Sequence, residues 1–220
     1  MTSLPTPSFT PTARFERVLA LFAAAHALDP EGQSSLYHSK LDAYVRQLSS
    51  SSANPVLNQG PSEALVIAAN SQHIRRWEKP RSEYPMGLTG YKTWRHKLNI
   101  HHSDVAHELM AEAGYSQAGD AELFARVRDL LLKKTLARPP LPDPLKDPEM
   151  HLFEDSICLV FLALQFVDFS EKIADADKMV NIVRKTWIKM TAEGQAVVAR
   201  DLVGGLPEDL KEVVGRALAA

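Results

Sequence analysis

Three side chains able to bind a metal ion stand at spacings that a helical chain could bring together. They are His73, then His102 29 residues later, then Asp155 53 residues after that. His73 falls on an apolar face with Val66, Ala69 and Trp77, and His102 on a stripe with Leu98, Val105 and Leu109 at steps of three and four. Asp155 opens the uncharged run Ile157–Phe166. Helical bundles build sites from such inward side chains, and imidazole with carboxylate suits Fe, Mn, Zn or Ni. The set predicts one divalent metal with an open position, where a bound water would become a nucleophile. Glu154, beside Asp155, is the candidate base or supporting residue. Each residue also has a plainer role. A histidine on an apolar face is usually a hydrogen-bonded core residue, and an acid near a helix start favours the positive end of the dipole. His101 and His107 are spare candidates, with His107 off the main stripe and assigned to the surface. His26, His38, His96 and His151 have no comparable context.

A basic cluster surrounds His73. QHIRRWEKPRSEYPMG carries Arg75, Arg76, Lys79 and Arg81, TWRHK adds Arg95, and LLLKK adds Lys133 and Lys134. Guanidinium forks bind phosphate or carboxylate in a bidentate manner. In a chain of net charge −2, such a cluster next to a candidate site predicts an anionic small-molecule substrate, held by Arg75, Arg76 and Arg81. The plainer alternative is a solvated helix end whose cations favour the dipole. Trp77, Tyr84, Tyr91 and Trp94 flank the same loop and read as an aromatic cluster that pins it.

The elements that must position these groups are helices. Strand patterning is nearly absent and helical periodicity recurs throughout. The expected helices cover about 12–27, 36–48, 61–77, 89–113, a segment after the N-cap candidate Asp120, 150–169, 177–190, 192–202 and a last one after Pro207. The stretch Met150–Phe169, apolar on every side from Ile157 to Phe166, predicts a central helix with others packed around it. Residues 49–60, SSSSANPVLNQG with its neighbours, read as a polar loop insertion. The proline-rich ARPPLPDPLKDPE reads as a rigid crossing. The expected organisation is a tail over 1–12, one helical domain over 13–203 and a C-terminal helix over 204–220: an all-α, single-domain helical bundle.

Composition narrows the function. The chain has 220 residues, 45% of them hydrophobic, enough for one good core. With 25 basic and 27 acidic residues it is not the basic chain expected of a nucleic-acid binder. Its longest apolar run is too short to span a membrane, which needs ~20 residues. The one cysteine, Cys158, lies in the apolar helix and reads as a small buried hydrophobe in a cytoplasmic protein. MTSLPTPSFTPTAR lacks the apolar core of a signal peptide and reads as a disordered tail, though a transit peptide shares its Ser/Thr/Pro-rich, acid-poor composition.

QHIRRWEKPRSEYPMGLTGYKTWRHKL resembles the domain of unknown function 4202 family. The resemblance continues through the His102 helix, RVRDLLLKK, DPEMHLFEDSICLVFL and VRKTWIKM, from about Phe15 to Met190. It brings no assigned activity. The order of His73, His102 and Asp155 also resembles the HD superfamily, which implies an HD-domain-like all-α metal-dependent phosphohydrolase or, in one branch, a di-iron oxygenase. The departure is Ser103, which stands where the aspartate of the HD pair belongs, with Asp104 one residue late and turned by about 100° on a helix.

The first expectation is therefore a metal-dependent hydrolase of a small phosphorylated or nucleotide-like substrate. The second is a metal-free binding module, with His73 and Asp155 as a buried hydrogen-bonded pair and the arginines holding an anionic metabolite or a protein partner. The third is an iron-dependent oxygenase on the same scaffold.

Overall fold

Helix starts follow local chemistry that the sequence displays. In the computed structural model, which describes residues 8–171, 173 and 175–218, side chains of Thr12, Ser62, Asp147, Asp175 and Thr191 each accept a hydrogen bond from a backbone N–H of the turn they open. These caps and the helices between them give α1 (Ala13–His26), α2 (Ser34–Ser51), α3 (Glu63–Ala69), α4 (Gly87–Ala113), α5 (Ala121–Leu132), α6 (Pro148–Val160), α7 (Phe166–Glu171), α8 (Ala176–Trp187), α9 (Ala192–Val197) and α10 (Glu208–Leu218). The protein is all-α, with no strand among the described residues.

Two boundaries differ from expectation in ways that matter for function. The helix expected to run to Trp77 stops at Ala69. A series of turns then carries Asn70–Arg75, and Arg75 adopts a left-handed backbone (φ 47°). His73 is therefore on a turn, not on a helix face. The long apolar helix is unbroken along the chain but changes its winding: between α6 and α7, residues Phe161–Gln165 form a π-helical turn. Single π turns inside α-helices are rare.

Packing follows the apolar stripes. α1 lies against α4, α2 along α6, α3 and α4 against α5, and α8 against α10, while α9 abuts α6. One apolar cluster of buried residues extends from Phe15 to Ala217. From Met150 to Val160, α6 buries every residue except Ile157, including His151, Glu154, Asp155 and Ser156. The polar stretch 49–60 is anchored rather than loose: α2 continues to Ser51, the Ser52 hydroxyl and the Ala53 amide donate to Glu193, and Leu57 is buried. The first seven residues of the expected tail lie outside the described residues. Of the rest, Ser8 hydrogen-bonds the Pro61 carbonyl and Phe9 stacks edge-on against Phe15.

Candidate functional site

The turn Asn70–Arg75 is held by two histidines that the sequence did not single out. His38 on α2 hydrogen-bonds the Ser34 carbonyl through Nδ1 (2.7 Å), which makes that nitrogen the donor. Its Nε2 then accepts from the His73 backbone N–H (3.2 Å). His26 at the end of α1 donates from Nε2 to the Asn70 carbonyl (2.9 Å) and stacks flat on His38, with ring centroids 3.7 Å apart. Burial, His26 and His102 outweigh the Ser34 carbonyl and Asp29 and hold His38 well below the usual imidazole pKa, so it stays neutral. Both residues share the buried side of their helices. Extending the α2 stripe of Leu41 and Val45 one turn back reaches Tyr37 and His38, a signal that was present in the sequence.

On this platform His73 and His102 do come together. His73 stacks on Tyr37 (centroids 4.7 Å) and sits 5.6 Å from the His102 ring. His102, on α4, donates from Nδ1 to the Ile74 carbonyl (2.8 Å), which leaves a lone pair on Nε2. That Nε2 is buried and has no partner. Burial, together with Arg76, His101 and Arg95, outweighs the Ile74 carbonyl and lowers the His102 pKa to about 3. His73 is also held well below its usual value, by burial and by Arg76, His102, His38 and Arg95. The pair is neutral at pH 7.

Arg76 is the cation of this site. Its guanidinium lies 4.9 Å from the centre of the Trp94 ring, and its Nη1 is buried without a hydrogen-bond acceptor. Burial and the like charge of Arg95 lower its pKa. The other two arginines expected here point elsewhere. Arg81 donates to the carbonyls of Tyr84 and Pro85 (2.8 and 2.9 Å) and so pins the loop. Arg75 lies 4.0 Å from Glu78, and its carbonyl is 3.1 Å from His101 Nε2. His107, expected on the surface, is part-buried and bridges α4 to the Phe124 carbonyl of α5.

Asp155 does not join the histidines. Its Oδ1 accepts from the Thr191 amide (3.0 Å) and its Oδ2 from the Thr191 hydroxyl (2.5 Å), so it secures the start of α9. Gly194 is required there, because a Cβ at that position would stand 2.6 Å from the Asp155 Cγ. Burial raises the Asp155 pKa to about 7 against the Thr191 hydrogen bonds, with Glu154 and Glu193 adding to the rise. The expected His73–Asp155 pair is therefore not formed. Nor is the three-ligand centre of His73, His102 and Asp155: among the described residues, no three His, Cys, Asp or Glu side chains are grouped to hold a metal ion. The donor set present is two neutral imidazoles beside an unpaired guanidinium, which does not fit a divalent cation.

Glu154, the expected base, is clamped. Lys133 donates to its Oε2 and Lys189 to its Oε1 (2.6 Å). Burial pushes the Glu154 pKa up, but the two ammonium groups outweigh it and hold the value at about 2. A carboxylate held so acidic is a poor proton acceptor near neutrality. Cys158, one turn later on α6, is a free buried thiol with its pKa pushed up to about 12 by burial and Glu154, so it is unreactive.

The chain matches the model of the family described as Domain of unknown function (DUF4202) over residues 16–214, and it belongs to that family. No curated protein and no solved structure matches it. No helix among the described residues is long and apolar enough to cross a membrane.

Proposed function

We propose that the cluster of Arg76, His73 and His102 binds a small anionic metabolite without a metal ion. The observation that carries this reading is Arg76, a half-buried guanidinium whose Nη1 is buried and lacks a hydrogen-bond acceptor. An unpaired buried charge is costly and is usually paired. A ligand anion supplies the missing acceptor, and the fork geometry suits phosphate or carboxylate. Neutral His102 offers its bare Nε2 lone pair to a hydroxyl or acidic hydrogen of the same ligand, in a tautomer fixed by the Ile74 carbonyl. Tyr37 and His73 form a flat wall beside it.

Thermal denaturation in the presence of millimolar inorganic phosphate, with chelator added, tests the reading. Tm should rise with ligand concentration in the wild type and should not respond in Arg76→Gln. Two results would overturn the proposal: no response of the wild type, or about one metal ion per chain retained through purification and lost in both His73→Ala and His102→Ala. The second result would restore the metal-dependent hydrolase.

A further inference from the structure

The loop that carries Arg81 ends in an exposed apolar tip. Met86 is 91% exposed, Leu88 69% and Tyr91 47%. Scattered surface apolar residues are ordinary. Three within six residues of chain, headed by the most exposed of the large apolar side chains described, form a patch of the kind that marks an interaction surface. The tip is held stiffly. Arg81 donates to the carbonyls of Tyr84 and Pro85, and the Trp94 indole donates to the Lys79 carbonyl (2.8 Å). The Pro85 carbonyl lies so close to α4 that a Cβ on Gly90 would collide with its oxygen, so only glycine fits there. Gly87, with φ 88°, makes the left-handed turn between Met86 and Leu88. These contacts preorganise the display of three side chains that water does not favour.

The same stretch is the basic part of an acidic chain. Residues 75–97 hold seven Lys and Arg and two Glu, while the chain as a whole carries a net charge of −2. Leu88, Tyr91, Lys92 and Arg95 recur at steps of three and four and so share one face of the first turns of α4, with Lys92 exposed and Arg95 half-buried. The first turn of α4 contains no acidic residue to repel an anion. Protruding apolar side chains beside cations complement a surface of anionic lipid headgroups over acyl chains: the apolar tip enters the boundary, the tyrosine suits the interface, and the basic groups are drawn to the negative surface.

We infer that this tip docks the protein on an anionic lipid surface, with Met86 and Leu88 inserted at the headgroup boundary, Tyr91 at headgroup level, and Lys92 and Arg95 among the lipid phosphates. The contact is peripheral: the tip rests in the interface and no helix is asked to cross the bilayer. A protein partner suits the tip less well. A stable interface takes ~800 Å² and about 20–30 residues from each side, whereas this patch offers three apolar side chains on a projection. A shallow membrane contact needs two modest signals acting together, apolar insertion and basic attraction, and the tip supplies both. Tyr91 leans on Trp94 (ring centroids 5.8 Å) and Trp94 on Arg76, so the Arg76 cluster lies two aromatic rings in from the docked tip. The inference does not depend on the anion-binding reading of Arg76.

Flotation of the full chain with extruded vesicles, in EDTA, tests the inference. Vesicles of phosphatidylcholine with about one-third phosphatidylserine should carry the protein, vesicles of phosphatidylcholine alone should not, and high salt should release it. Met86→Ser combined with Leu88→Ser changes only exposed side chains, so its thermal melt should stay native while its vesicle affinity falls at least about tenfold. Lys92→Glu should weaken binding about severalfold. Arg76→Gln should float as the wild type does, which keeps this test apart from that of the Arg76 cluster. An environment-sensitive dye on Met86→Cys, with the buried Cys158 spared from labelling, should shift its emission to the blue on anionic vesicles. No flotation of the wild type, undiminished affinity in the double serine variant, or an unshifted dye would overturn the inference. Self-association of the wild type that the two serines abolish, without vesicle binding, would assign the tip to a second copy of the chain and overturn it as well.

Discussion

Two regions bury ionisable groups on opposite terms: the Glu154 and Asp155 carboxylates of α6, and the turn and helix that carry His73, Arg76 and His102. Both carboxylates are partnered: Lys133 and Lys189 hold Glu154, Thr191 gives Asp155 an amide and a hydroxyl, and Gly194 makes room for it. On the histidine side, His102 Nε2 and Arg76 Nη1 are buried with nothing to bond. Buried polar groups without partners are uncommon in native proteins, and each calls for a reason. The contrast teaches that burial of a charged residue does not mark a site; unpartnered atoms, which also occur at Ser49, Ser103, His151 and Arg184, point to one where they gather beside a cation.

Breaking the paired side should cost stability. The largest loss is expected for Glu154→Ala, which strands two ammonium groups; removing one member of a buried ion pair costs roughly 3–5 kcal/mol, readable by urea denaturation. Asp155→Asn should act through pH. The folded-state pKa of Asp155, about 7, lies above its ordinary value of 3.8, so the folded protein binds an extra proton between these values and this contribution to stability fades as pH rises. The variant should match the wild type near pH 4 and exceed it at pH 8, by on the order of 2–4 kcal/mol. The buried histidines have the opposite sign. Their lowered pKa values mean that the unfolded chain takes up protons first as pH falls below about 6.5, so acid destabilises the fold through them. Without Asp155 to offset them, acid unfolding of Asp155→Asn should be the steeper. Gly194→Ala, which forces a Cβ against the Asp155 carboxyl group, should cost about 1–3 kcal/mol. Arg76→Met sharpens the comparison by having the smallest effect: stability within about 1 kcal/mol of wild type, or above it, with the thermal response to phosphate gone.

The helices were legible in the sequence because caps and apolar stripes are local signals. Thr12, Ser62 and Thr191 cap where their types suggest, and α4 ends at Ala113 as its stripe predicts. The site was legible in part. His73 and His102 are neighbours as their spacing suggested, although His73 reaches His102 from a turn and not from the helix face expected. Asp155 was misassigned because one residue along a helix turns a side chain by about 100°, and nothing local tells which of Glu154 and Asp155 faces which neighbour. Their partners Lys133, Lys189 and Thr191 arrive from α5 and from the turn between α8 and α9, at separations from 21 to 36 residues. The early stop of α3 was hidden for a related reason. Asn70–Arg75 has no proline or glycine to announce a break; tertiary hydrogen bonds from His26 and His38 hold the turn open.

Those same two hydrogen bonds make the Asn70–His73 turn an unusual timekeeper. Connecting segments normally open within the native state and exchange their amide protons early. The His73 amide is instead donated to His38 Nε2, inside a stack of two imidazoles, and can meet deuterium only when α1, α2 and the turn part company. Its exchange half-life should therefore match the amides of Leu41 and Leu98 in the cores of α2 and α4. Although it lies outside any helix, the segment that presents His73 opens only when the helices around it do.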